Sequence, residues 1–140
     1  MNDSVNFRSF KQGDYEICCE WWKWWWKHNG QDPVRRAFLP KDERCFMLEK
    51  NGVPIASYFL FLMDPYIVGW ATYLVSNPEY KEKDRGEAIE LLIDRIEEVC
   101  KSLNYKYIFT MGRNKHLIET HRKLGWVVDK KSSYEITKKL

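Results

Sequence analysis

The sequence predicts an α/β (α+β) fold: a mixed, mostly antiparallel sheet of six to seven strands flanked by three to four helices, in one domain over 1–140. Three observations predict it. Residues 45–76 carry three β-rich runs separated by Asn51-Gly52 and Asp64-Pro65, and turn-forming pairs at that spacing favour an antiparallel meander. Residues 86–103 repeat apolar side chains every three or four positions, the period of a helix with one buried face. That helix separates the strand-like segments 68–76 and 105–111, which a right-handed crossover makes parallel neighbours.

Each element has its own signal. Val5, Phe7 and Phe10 alternate with Asn6, Arg8 and Ser9, a first strand over residues 5–10. Gly13-Asp14 supplies a turn and a cap, so a helix is expected from about Tyr15 to Lys27, stopped at His28-Asn29-Gly30 where glycine takes a left-handed conformation. Cys18, Trp21, Trp22 and Trp25 share one face of it, and Trp24 and Trp26 widen the stripe. One face does not easily absorb five indoles, so the helix reads both as core-facing and as carrying outer Trp residues that wall a groove or meet a partner. Pro33–Phe38 reads as a short helical turn and Lys41–Arg44 as a loop. Strands follow over Cys45–Glu49, Val53–Met63 and Val68–Ser76, the last ended by Asn77-Pro78. The long helix places Ala88, Leu92, Ile96, Val99 and Leu103 on one side and Glu90, Asp94, Glu97, Glu98 and Lys101 on the other. Tyr105–Met111 reads as a strand and Asn114–Leu124 as a helix closed by Gly125. Trp126–Asp129 and Tyr134–Thr137 read as closing strands around a Lys130–Ser133 turn.

Composition narrows the function classes. Of the 140 residues 44% are hydrophobic and 31% charged, which excludes wholesale disorder. A net charge of +3 makes no strong case for nucleic acid. Aromatic residues reach 16%, including 7 Trp, and so many rings need a core or a ligand to pack against. The longest apolar run, Ile55–Met63, contains Ser57 and ends at Asp64-Pro65, too short to span a bilayer. Met1-Asn2-Asp3-Ser4 has neither a basic patch nor an apolar stretch, so no signal peptide and a cytoplasmic location are expected. Cys18, Cys19, Cys45 and Cys100 form no C-x-x-C pair and read as reduced, buried thiols. His116 and His121 are five apart, the wrong spacing for a helical metal pair, and His28 and His116 read as surface residues; no metal is expected.

The chemistry concentrates after Val68–Ser76. The strand ends Val75-Ser76-Asn77-Pro78, and the charged stretch Lys83-Asp84-Arg85-Gly86-Glu87-Ala88 opens the long helix. Free backbone N–H groups at a helix start make an anion site. Further on, Asn114, His121 and Gly125-Trp126 are spaced along the last helix. With these residues the chain resembles the GCN5-related N-acetyltransferases across nearly its whole length, and most specifically over 70–126. In that family a Val-x-Pro strand end leads into Arg/Gln-x-x-Gly-x-Gly/Ala and a helix, and an Asn precedes a short helix with a Tyr and a Gly-Phe. The Val75–Pro78 stretch is also similar to small members encoded by bacteriophages.

The resemblance implies acetyl-CoA as co-substrate and a primary amine, small-molecule or protein, as acceptor. It implies cofactor contacts from Leu74 and Val75 through their backbones, from Lys83, Asp84, Arg85, Gly86, Glu87 and Ala88 around the pyrophosphate, and from Asn114, which contacts the cofactor or caps the last helix. Tyr73 and Trp25 are the candidate acceptor-binding residues, Tyr73 reading as a neighbour of Ala71 and Val75 on one face of its strand. His121 stands at the position of the family's catalytic Tyr, and an imidazole suits proton transfer near neutral pH. The departures are Lys83 in place of Arg or Gln, a longer loop from Pro78 to Gly86, and an Asp84…Glu87 capping box that would occupy amides a phosphate needs. Lys81, Lys83 and Arg85 offset that charge. Glu20, Glu49 and Asp64 are available as bases, with no spacing that singles one out. Two other readings remain open. One is a non-catalytic binding module using the Trp-rich helix. The other is a nucleic-acid-directed acyltransferase, less favoured, using Arg113, Lys115, Arg122, Lys123, Lys130, Lys131, Lys138 and Lys139. A monomer or homodimer is expected.

Overall fold

The structure, a computed structural model, describes residues 4–65, 67–131 and 133–140. The elements run β1 (Val5–Ser9), α1 (Asp14–Trp25), β2 (Cys45–Lys50), β3 (Val53–Leu62), β4 (Val68–Ser76), α2 (Arg85–Ser102), β5 (Tyr107–Phe109) and α3 (Lys115–Lys123). Two 3₁₀ turns, Arg36–Phe38 and Asp42–Arg44, join α1 to β2. The second lies where the charged composition reads as plain loop. The sheet order is β1-β2-β3-β4-β5. The first four strands pair antiparallel, and β5 pairs parallel to β4 after the α2 crossover.

Helices cover both faces of the sheet. Side chains of β2 therefore meet apolar surface whichever way they point, which explains the unbroken run Cys45–Leu48. Phe46 and Leu48 join Tyr58, Leu60, Ala71 and the α2 residues Ala88, Leu92, Ile93 and Ile96 in one cluster. Cys45, Met47, Phe59 and Val75 join Phe10, Cys18, Trp21 and Trp22 in the other. Each fully buried Leu, Ile or Phe contributes about 1.5–3 kcal/mol by leaving water. The Asn51-Gly52 turn uses positive φ at both residues, 52° and 78°, as a two-residue hairpin requires.

Several expectations are corrected. The sheet has five strands among the described residues, not six or seven. Tyr105–Met111 contributes only Tyr107–Phe109. Trp126–Asp129 and Tyr134–Thr137 join no strand, and Val127 and Ile136 are 97% and 91% exposed. Ser132, in the turn expected between them, and Met1–Asp3, in the expected leaderless start, lie outside the described residues. Gly13, not Asp14, is the N-cap of α1, at φ 96°. The Asp14 carboxylate instead accepts from the Lys11 N–H at 2.7 Å and pairs with Arg8 at 2.6 Å. Cys19 is only half-buried, unlike the three other thiols. No helix among the described residues is long and apolar enough to cross a membrane.

Candidate active site

The site begins where two parallel strands part. β4 and β5 stay paired only from Val68↔Tyr107 to Trp70↔Phe109. Beyond Phe109 β5 ends, while β4 continues to Ser76. At the same place β4 carries a bulge. Phe59 faces Thr72 and Ser57 faces Val75, so Tyr58 faces two residues, Tyr73 and Leu74. Tyr73 adopts φ 58°, a left-handed conformation uncommon for a bulky side chain. The extra residue resets the alternation of the strand. Ala71 belongs to the cluster under α2, and Tyr73 and Val75 to the cluster under α1. The single face expected for Ala71, Tyr73 and Val75 is thereby corrected. Leu74 and Val75 lie on the stretch of β4 that has left its parallel partner.

The far end of that stretch meets the start of α2. The Arg85 guanidinium donates to the Ser76 hydroxyl at 2.7 Å and lies over the Trp25 ring, 5.2 Å from its centre. Trp25 Nε1 donates to the Ser76 carbonyl at 2.8 Å. Trp25 thus leaves the buried face of α1 and stands beside the helix start. The Asp84 half of the expected capping box is not formed: Asp84 is the N-cap of α2 but makes no side-chain cap bond. Asp84 accepts instead from Lys50 Nζ at 2.5 Å and Tyr80 Oη at 2.7 Å, and these two bonds hold its carboxyl below the usual range. Its charge is paired with Lys50 of β2. Gly86 is exposed, with open space where a side chain would stand. Lys83 and Glu87 are exposed, and Ala88 is buried against the sheet.

The last helix closes the site from the other side. Asn114 is the N-cap of α3 and accepts the Leu117 N–H at 3.1 Å. At the C-terminus Gly125 N–H bonds Arg122 C=O at 3.0 Å and Trp126 N–H bonds His121 C=O at 3.1 Å, the paired bonds of a Schellman stop. The Trp126 ring meets the His121 imidazole edge-on at 4.9 Å. His121 is only 7% exposed. Its Nδ1 lies 2.7 Å from the Leu117 carbonyl, which can only accept, so Nδ1 carries the proton. Burial depresses the imidazole pKa, and the neutral ring leaves Nε2 as acceptor for the Tyr58 hydroxyl at 3.1 Å. That hydroxyl also lies 3.0 Å from Thr110 Oγ1. A chain Thr110–Tyr58–His121 therefore reaches from β3 to the end of β5 and on to α3.

Tyr58 and Thr110 carry no motif, and only their place in the fold identifies them. The remaining candidates are scattered. Glu49 is engaged by Arg8 at 3.1 Å and Asn6 at 3.2 Å, chiefly the former holding its pKa down. Glu20 pairs with Lys23 on the surface, and Asp64 is exposed beyond β3. His28 and His116 are exposed.

No known family profile matches the sequence, and no curated protein matches it. Solved structures do. An aminoglycoside acetyltransferase from an uncultured soil metagenomic sample superposes with a TM-score of 0.71 over 99% of both chains at 8% identity. A GCN5-related N-acetyltransferase from Ralstonia eutropha gives 0.66 over 94% of this chain and 98% of that one, at 18% identity. N-acetylglutamate synthase from Neisseria gonorrhoeae, complexed with coenzyme A and N-acetyl-glutamate, gives 0.68 at 16% identity; 87% of this chain matches 28% of that protein. At these identities the likeness is one of fold: the chain has the fold of the GCN5-related N-acetyltransferases.

Proposed function

From that fold, we propose that the protein transfers an acetyl group from acetyl-CoA to a primary amine, by direct attack and without an acyl-enzyme. The observation that carries the reading is the opening between β4 and β5 after Trp70 and Phe109, with the start of α2, where Asp84 makes no side-chain cap bond, at its end. Residues 71–76 of β4 have no β5 partner, so a flexible arm fits there as a substitute strand, against the backbones of Leu74 and Val75. Around Gly86, whose amide lies in the first turn of α2, Asp84, Glu87 and Ala88 complete the candidate pyrophosphate cradle, with the Ala88 N–H itself engaged by the Asp84 carbonyl at 2.9 Å. The open space at Gly86 fits such a group, and the pairing with Lys50 offsets the negative charge of Asp84. Lys83 adds positive charge at the rim, and Arg85 fixes the end of β4 through Ser76. Asn114 serves the site by starting α3 in the right place. Acetyl-CoA, when bound, supplies an activated thioester.

The chain's own residues then handle protons. His121 Nε2 can take a proton through the Tyr58 hydroxyl. Protonated, it donates back to Tyr58, whose O–H turns toward Thr110 at the edge of the opening. The same route first removes a proton from the attacking amine and later returns it to the leaving thiolate. In this reading His121 acts through Tyr58, and a strand N–H at the bulge polarises the thioester carbonyl.

The test is binding. Millimolar acetyl-CoA should raise the melting temperature, since a ligand selective for the native state stabilises it. Gly86→Glu should abolish the rise while leaving the far-ultraviolet spectrum intact, because its side chain adds bulk and negative charge in open space at the helix start. An equal shift from an unrelated anion, or an unchanged affinity in the variant, would overturn the reading.

A further inference from the structure

The acceptor side of the opening has its own architecture. On the α1 face of the sheet a pocket of about 330 Å³ is lined by Ala37, Phe38, Phe61, Trp70, Tyr73 and Thr137. Phe61 and Trp70 face each other across the β3–β4 ladder, with ring centres 5.9 Å apart. Trp70 stacks in turn on Phe109, at 5.7 Å and 18°. Those walls are fixed by the sheet. The Trp70 indole N–H is buried and has no hydrogen-bond partner. Tyr73 enters through the bulge, with its backbone in the left-handed region at φ 58°. The pocket therefore ends at the point where β4 leaves β5.

The fourth side comes from the tail after α3. Thr137 lines the pocket. Two residues earlier, Glu135 stands 3.8 Å from Arg113, and burial, helped by the Glu135 charge, raises the Tyr73 phenol pKa. An aromatic box whose Thr137 wall belongs to a segment that carries a carboxylate two residues earlier suits a cation on an apolar body. Rings attract an ammonium through their faces and a flat ligand through offset stacking. The volume is near the lower limit of ligand pockets, roughly 300–1,000 Å³, which admits a single-ring amine.

We propose that this pocket is the acceptor site, that it takes a small ammonium carried on an aromatic ring, and that Glu135 is its counter-charge. The assignment of the pocket as acceptor site rests on the acetyltransferase reading; the ligand class rests on the pocket alone.

The experiment titrates phenethylamine, 2-phenylethanol and putrescine into the full-length protein, with and without saturating coenzyme A, which carries no acetyl group to transfer. Phenethylamine should bind, and the neutral alcohol and the ringless diamine roughly tenfold more weakly. Glu135→Gln should weaken phenethylamine about fivefold and leave 2-phenylethanol unchanged. Phe38→Ala should weaken both ring compounds; Phe38 is exposed, so the fold survives its loss. Putrescine binding as tightly as phenethylamine, an unaltered affinity in Glu135→Gln, or no amine binding under either condition overturns the proposal. The two readings fail separately. Coenzyme A binding without amine binding removes the acceptor pocket and keeps the fold's cofactor site. Amine binding that survives in Gly86→Glu, with no coenzyme A binding to the wild type, keeps the pocket and removes the acetyltransferase reading.

Discussion

His121 is held at four points: Nδ1 to Leu117, Nε2 to Tyr58, its carbonyl to the Trp126 N–H, and its ring against Trp126. If the relay works, His121→Ala should lower turnover roughly a hundredfold with acetyl-CoA affinity nearly constant, and Tyr58→Phe should match it because both break one chain. Steady-state rates with binding measured separately decide this. The same burial has a pH signature. The folded imidazole titrates below its ordinary value of about 6.5, so between the two values the unfolded chain binds the extra proton. Stability is therefore intact above about pH 6.5 and falls on acidification through that value. A melting series from about pH 7.5 to about pH 5 should show the decline in the wild type and a flatter profile in His121→Asn. His121 was legible from its spacing to Asn114 and Gly125. Tyr58 was not, because it lies 63 residues away and looks like any aromatic in a buried strand. In physical terms the Asn114…Gly125-Trp126 signature is a helix start and a helix stop, which is why its spacing could be read without the tertiary structure.

At the scale of elements, α2 was the most legible because periodicity alone defines it. Its buried residues Ala88, Leu92, Ile96 and Cys100 recur at four-residue steps. How closely it approaches the sheet was not legible. At Gly69 on β4 an added Cβ would stand 2.6 Å from Cys100 Sγ and 3.3 Å from Leu60. Gly69→Ala should accordingly destabilise by about 1–3 kcal/mol. Adding Cys100→Ala should recover part of that loss, and denaturant midpoints of the two single variants and the double variant measure the coupling. The length of β5 escaped for a different reason. Tyr105–Met111 has β-rich composition throughout, but a strand persists only while a neighbour runs beside it, and β4 departs after Trp70. The Asp84…Glu87 pattern misled similarly: a carboxylate that fits a cap locally found a lysine from β2 instead.

Over the whole molecule, the sheet divides two apolar clusters, one under each helical layer, and the chain's last residues belong to neither. Tyr134, Ile136 and Leu140 are exposed, so removing residues 133–140 should change the melting temperature by no more than about 2 °C, since surface changes rarely exceed about 0.5 kcal/mol. It should still cost amine binding, because Glu135 and Thr137 leave with it. Fold class and element order were readable because alternation and helical period are local. The two closing strands were misread because β propensity says nothing about whether an edge is there to receive it. A strand also has parity, odd residues to one side and even to the other. The bulge at Tyr73 reverses that parity once, so the odd-numbered residues of β4 change sides, Ala71 lying in one core and Val75 in the other. A one-residue deletion at this point would give a tidier ladder and exchange the sides of every residue on one arm of β4. The position of the opening is thus written into a count of residues, and no choice of side chains elsewhere in the strand would restore it.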